Sequence, residues 1–274
     1  MKLISVNLIK QNQVFDSALC FMYIYLIRRS MFGSYSMTLQ TMLFLVCFGG
    51  VSLIYVMSDI HGCYRQFKQA LELIEFSNED TLYVLGDVID RGPSSIELLN
   101  YMMMFDNIIP LIGNHEVMAM SLLPKLCTEI TEDNYDSTLT ENDLYSLEHW
   151  MHDGGDATLT QFQKLERDEM EMILDYLNEF SLIEEVKVND KNYVLVHAGL
   201  LRNDLRLDLL RVEECVFAST PLTLANRTIV CGHTPTSSGC IEFSQGQIHI
   251  DCGCVFNGQL GVLCLDTLQT FYVN

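Results

Sequence analysis

Five times along this chain a short apolar run stops beside a small residue, and a side chain able to hold a metal follows at once. Ser52 to Ser58 gives way to Asp59 and His61, and Leu82 to Leu85 to Gly86-Asp87. Asn107 to Ile112 leads into Gly113-Asn114-His115, Tyr193 to Val196 into His197, and Thr228 to Cys231 into Gly232-His233. This repetition predicts an α/β fold, because open α/β sheets gather ligands beyond the carboxyl ends of their strands. Small neighbours let the backbone turn tightly and come close to a ligand. The five ends should therefore meet in space.

The segments between them support that architecture. Phe67, Ala70, Leu71 and Ile74 recur at helical spacing after the first strand, and the second strand follows at β-α-β distance. Pro93 suits the first turn of another helix, with Ile96, Leu99 and Met103 on its inner side. Residues 117–185 are rich in acids and helix formers, include WMHDGGDATLTQF at 150–162, and read as a helical insertion or cap. The methionines at 102–104, 118 and 120 read as core packing. Gln247 to Cys252 and Gln259 to Leu265 alternate as strands do, and no internal repeat is visible.

The donor types narrow the chemistry. Asp59 and His61 lie two apart, so in a locally extended segment both point to one side and can share an ion. A set of Asp, His and Asn without thiolate favours manganese, iron or zinc. Asp87 is a carboxylate that could bridge two ions. A single histidine is more often structural than functional; five strand-end coincidences in order are hard to explain that way.

Asp59-Ile60-His61-Gly62, GDVIDRG at 86–92, GNHE at 113–116, HAG at 197–199 and GHT at 232–234 resemble, in that order, the bacterial PPP-type serine/threonine protein phosphatases of the calcineurin-like metallophosphoesterase superfamily. The likeness runs from about residue 53 to the C-terminus. It implies a central β-sandwich of mixed sheets flanked by helices, with a centre of two divalent ions, manganese first and iron or zinc as alternatives. By motif position Asp59 and His61 would hold one ion, Asp87 would bridge, and Asn114, His197 and His233 would hold the other. His115 would be the general acid, oriented by Asp90, and Arg91 would grip phosphate oxygens, with Asn114 and His115 beside the substrate. A structural ion pair closing the turn is the alternative for Asp90 and Arg91. The implied reaction is hydrolysis of phosphomonoesters, foremost phosphoserine and phosphothreonine in proteins, by in-line attack of a metal-bridging hydroxide.

Departures from the family pattern bear on substrate. Ile112 stands where the family usually has arginine before GNHE, and a second family arginine has no partner in register, leaving Arg202, Arg206 or Arg211 as replacements. Ser58 replaces a glycine at a position that does not demand positive φ. Asp251 either buttresses the site or is structural, and His152 and His249 read as non-ligands. The related symmetrical diadenosine tetraphosphatases typically lack the Asp-Arg pair and carry GNHD, so DRG and GNHE lean toward a phosphoprotein substrate. The long interlude would restrict access and keeps a small nucleotide open. A non-catalytic scaffold is the third reading, and the intact ligand and acid residues argue against it.

A formal net charge of −20 argues against nucleic acid as a partner and requires local cations for any anionic substrate. Ten cysteines without a CxxC pair read as reduced thiols of a cytoplasmic protein. Residues 1–51 differ in character: Lys2, Lys10, Arg28 and Arg29 face one Asp16, with apolar runs Ala18 to Ile27 and Met42 to Phe48. Both runs fall short of the roughly 20 residues of a spanning helix. A poorly ordered or upstream-start extension, a membrane anchor and a cleaved signal all remain open there. The domain proper is then 52–274, with any membrane contact confined to the extension.

Overall fold

The computed structural model describes residues 52–128, 139–201, 210–218 and 222–274. The N-terminal extension of the sequence analysis, and with it Arg202 and Arg206, lies outside the described residues.

Two five-stranded mixed sheets form the centre. In the first, β1 (Ile54–Met57), β2 (Thr81–Val84) and β3 (Ile108–Pro110) run parallel. Antiparallel β9 (Leu260–Cys264) and β10 (Thr270–Val273) extend it beyond β1. In the second, β5 (Lys191–Val196), β6 (Thr228–Cys231) and β8 (Gln247–His249) are parallel. They are flanked by antiparallel β4 (Ile183–Val188) and β7 (Glu242–Ser244).

The period of two along each strand makes this a sandwich. Val56 and Leu263 of the first sheet pack with Tyr193, Leu195, Val230 and Ile248 of the second in one buried cluster. The alternate positions Val194, Val196, Ile229 and Cys231 face the other way, against Leu200 and Cys215. Cys215 comes from α7 (Val212–Val216). The fold class expected from the sequence is the one observed.

Helix α1 (Tyr64–Leu73) buries Phe67, Ala70 and Leu71, as its spacing predicts, and packs over β9 and β10. In α2 (Ser95–Met102) the inward residues are Ile96, Leu98, Leu99 and Met102, so Met102 takes the place expected of Met103. Met104 lies past the helix end with 74% of its surface exposed, and Met118 and Met120 are half-buried. Of the methionines assigned to the core, Met102 alone is fully inside, because the 3.6-residue period turns its neighbours outward.

Helix α3 (Asn114–Leu126) begins on the third motif itself. Helix α4 (Glu141–Trp150), a π-helical turn (Met151–Gly155), α5 (Asp156–Phe162) and α6 (Arg167–Asn178) follow. The π-turn and α5 press on the second motif: Gly154 and Arg91 are in close contact, and α5 packs on α2. No helix among the described residues is long and apolar enough to cross a membrane.

Candidate metal centre

Each candidate residue sits where a parallel strand ends, and the backbone there is bent hard. Asp59, His61, Asp87, Asp90, Arg91 and His233 all have positive φ, between 46° and 71°. Such conformations cost a non-glycine residue of order 1 kcal/mol or more and cluster at functional sites. The segment carrying Asp59 and His61 is therefore a left-handed turn rather than the extended run expected, with φ of 52° and 46°. Backbone bonds impose this: Asp59 N–H donates to the Gly86 carbonyl at 3.2 Å, His61 N–H to Asp87 at 2.9 Å and Gly62 N–H to Val88 at 2.7 Å. The first and second motifs are thus stitched together. Gly92 abuts the His61 carbonyl so closely that a methyl group has no room.

Asp87 faces two groups of donors. Its Oδ2 is 3.6 Å from His61 Nε2, and its Oδ1 is 3.5 Å from His197 Nε2. His61, Asp87 and His115 form one convergent set, and Asp87, His197 and His233 a second, all buried except half-buried His233. Asn114 joins the second, its Oδ1 3.0 Å from both His197 Nε2 and His233 Nδ1. Asp59 belongs to neither described set. Its carboxylate accepts the His233 N–H at 3.1 and 3.0 Å and the Ser58 hydroxyl. Asp251 is buried nearby, its carboxyl pushed up to about 6 by burial, and its Oδ1 accepts the Gly253 N–H at 2.8 Å.

The donor set fits divalent cations. His197 gives its Nδ1 proton to the Leu85 carbonyl at 2.7 Å, and His61 gives its own to Ile89 at 2.8 Å. Each Nε2 is then a lone pair directed inward. Burial, then the charge of His233, holds His197 down to about 3, and burial likewise lowers His61 and His233, so the rings stay neutral and able to ligate. Burial pushes Asp59 and Asp87 well above the usual carboxylate range, reinforced by their acidic neighbours. Acids that resist ionising and bases that resist protonation, packed together, make a site that a cation relieves on both counts. Saturating manganese at about 100 times its Kd should stabilise the chelated protein by about 2.7 kcal/mol. That is a rise of roughly 5–10 °C in Tm for a domain of this size. A melting curve indifferent to the ion would remove the metal centre.

His115 and Asp90 meet as the resemblance implies. His115 Nδ1 is 2.7 Å from Asp90 Oδ2, and both side chains are fully buried. The same oxygen accepts a second proton from Trp150 Nε1 at 2.6 Å. His115 Nε2 is buried without a hydrogen-bond partner, 3.9 Å from Asp87 Oδ2 and 3.5 Å from Asp153 Oδ2. Arg91 is engaged by its surroundings: Nη1 lies 2.7 Å from His61 Nε2, Nη2 donates to Asp153 Oδ1 at 2.8 Å, and Nε to the Asp153 carbonyl at 3.3 Å. Its backbone N–H donates to the Gly154 carbonyl at 2.9 Å.

Sequence reasoning missed four contributors. Trp150 and Asp153 come from the segment read as a cap, and so does Thr158, whose Oγ1 accepts the Asp90 N–H at 2.9 Å. The lone tryptophan of the chain, four residues before a pair of glycines, was the available signal. Glu116 is the fourth: fully buried, it accepts the N–H groups of Asp87 and Gly113 on Oε2, both at 2.8 Å. On Oε1 it accepts those of Val88 at 2.8 Å and Ile89 at 3.3 Å. His249 is occupied with Gln247 at 3.0 Å. Ile112 leaves the third motif uncharged, its N–H donating to the Ser181 carbonyl at 2.8 Å, and Arg211 is exposed ahead of α7.

The family model described as calcineurin-like phosphoesterase matches residues 52–258. Among curated proteins the chain is similar to the symmetrical bis(5'-nucleosyl)-tetraphosphatase of Coxiella burnetii, 32% identical over 166 residues, 58% of this chain and 46% of that protein. The enzyme of the same name from Nitrosospira multiformis is 33% identical over 150 residues, 54% of this chain and 44% of that one. The Proteus mirabilis enzyme is 32% identical over 99 residues, 35% of this chain and 36% of its own. The chain therefore spans less than half the length of these relatives. A crystal structure provisionally described as a diadenosine tetraphosphatase superposes with a TM-score of 0.58 at 18% identity, covering 82% of this chain and 94% of the other.

Proposed function

The chain belongs to the calcineurin-like phosphoesterase family, and from that premise we propose that it hydrolyses a phosphoric anhydride carried by a nucleotide, of the bis(5'-nucleosyl) tetraphosphate kind. The observation that carries this reading is the similarity over 54–58% of the chain to proteins of that name from two organisms. It reverses the order of substrates expected from the sequence, where DRG and GNHE put phosphoserine and phosphothreonine first.

Asp59, His61, Asp87, Asn114, His197 and His233 would hold the ions, Asp59 also fixing His233 through its backbone N–H. Two divalent cations, manganese being the first to supply, would acidify a water and offset phosphate charge. The chain's own residues do the rest. Arg91 exchanges Asp153 for phosphate oxygens of similar geometry, a trade its planar fork allows. Asp90 and Trp150 hold the imidazole of His115 so that Nε2 points inward, where a leaving oxygen would be met. The eight described cysteines are free, which supports a reducing, cytoplasmic setting.

The Asp90–His115 pair at 2.7 Å favours a second reading, a phosphomonoester of serine or threonine. An alkoxide leaves poorly without a proton, whereas a phosphate leaving group needs little help. Diadenosine tetraphosphate and a phosphoserine peptide, compared at equal enzyme with manganese, decide between them. Faster cleavage of the anhydride is the expected result, and faster cleavage of the peptide would reverse the order.

A further inference from the structure

Phe256 is the most exposed of the phenylalanine side chains described, with 68% of its surface open to solvent. Single exposed apolar residues are ordinary, but the position of this one is not. Its ring lies 5.4 Å from the guanidinium carbon of Arg91, whose Nη1 is 2.7 Å from His61 Nε2. The ring therefore stands one guanidinium away from the candidate metal centre.

The backbone holds it there. Phe256 lies in α8 (Cys254–Asn257), a single turn between Gly253 and Gly258, both left-handed. The Phe256 N–H donates to the Gly253 carbonyl at 2.9 Å, and Gly253 N–H donates to Asp251 Oδ1 at 2.8 Å. Asn257 Nδ2 ties the turn to the Cys252 carbonyl at 2.9 Å, and buried Cys254 anchors it from beneath. These bonds hold a large apolar ring in water beside a cation, a surface that suits a ligand with a flat face.

We propose that Phe256 is a stacking platform for the nucleobase of a nucleoside phosphate whose phosphate group lies at Arg91. This rests on the nucleotide reading above and assigns the residue that would recognise the base. An aromatic side chain suits the task because every base has a π-face, and stacking is worth about 1–3 kcal/mol per base. That corresponds to a factor of about 5 to 150.

The test compares kcat/KM for diadenosine tetraphosphate with that for inorganic tripolyphosphate, which has no base, using the full chain loaded with manganese. Phe256→Ala should lower the ratio of the two by about 5- to 150-fold, mainly through KM, and Phe256→Trp should restore it. A parent ratio near one, or a ratio that Phe256→Ala does not move, overturns the platform. If the parent cleaves a phosphoserine peptide and neither polyphosphate, it is the nucleotide reading that fails. The platform is then decided by calorimetric binding of adenosine 5'-monophosphate: weaker binding by Phe256→Ala of the same size supports it, and equal binding overturns it.

Discussion

His115→Asn is expected to lower turnover of a phosphoserine peptide by about 10²- to 10⁴-fold, the usual worth of a positioned general acid, while bound manganese stays at the parent level. The geometry separates the two roles. His115 spends Nδ1 on Asp90 at 2.7 Å, and its Nε2 is 3.9 Å from Asp87, the longest of the histidine contacts to that carboxylate. Asparagine removes the proton donor without touching His61, His197 or His233. On diadenosine tetraphosphate the loss should be far smaller, because the departing phosphate is stable as an anion. Parent-level turnover of the peptide would end the acid assignment, and loss of manganese would make His115 a ligand, as its place in the convergent set with His61 and Asp87 allows.

Glu116→Gln should be nearly as damaging, and for a structural reason. The carboxylate sits in the interior with four backbone N–H groups aimed at it, from Asp87, Val88, Ile89 and Gly113. Burial pushes its pKa up and these bonds pull it down; with four donors offered and no acceptor, the ionised form is the one the geometry accommodates. Glutamine has one oxygen, so its amide nitrogen would confront two N–H groups in a space without water. Each orphaned donor costs about 1–3 kcal/mol, so the loss should be on the order of 4 kcal/mol, a large part of the roughly 5–15 kcal/mol of a typical domain. Urea unfolding at unchanged m-value would measure it. Manganese content should fall as well, since the Asp87 backbone is one of the groups released. A midpoint unchanged within error would show that the second motif keeps its shape without this carboxylate.

The two positions also differ in why one was a candidate from the sequence and the other was not. His115 follows a strand end in a motif that resembles a known family, so its assignment required only local reading. Glu116 is the next residue, yet its partners lie 27 to 29 positions back, apart from Gly113. Nothing in the spacing of the sequence reports a side chain that bonds only to backbone. The same holds for Trp150 and Thr158, 60 and 68 positions from Asp90, and for Asp153, 62 from Arg91. The turn at Asp59 and His61 was read as extended because residue type seldom announces positive φ outside glycine.

By itself the sequence determined seven of the ten described strands, all but β4, β7 and β10, together with their order of appearance and the identity of the donors at their ends. Apolar alternation and the stop at a small residue are local facts, set by the pitch of a strand. Only the tertiary structure decided that Asp87 divides its oxygens between two sets of imidazoles, and that Arg91 rests on Asp153 and His61. It likewise decided that a helical segment far along the chain closes over the second motif. Those are contacts between groups remote in sequence, fixed by how two sheets and a cap pack, and no periodicity along the chain encodes them.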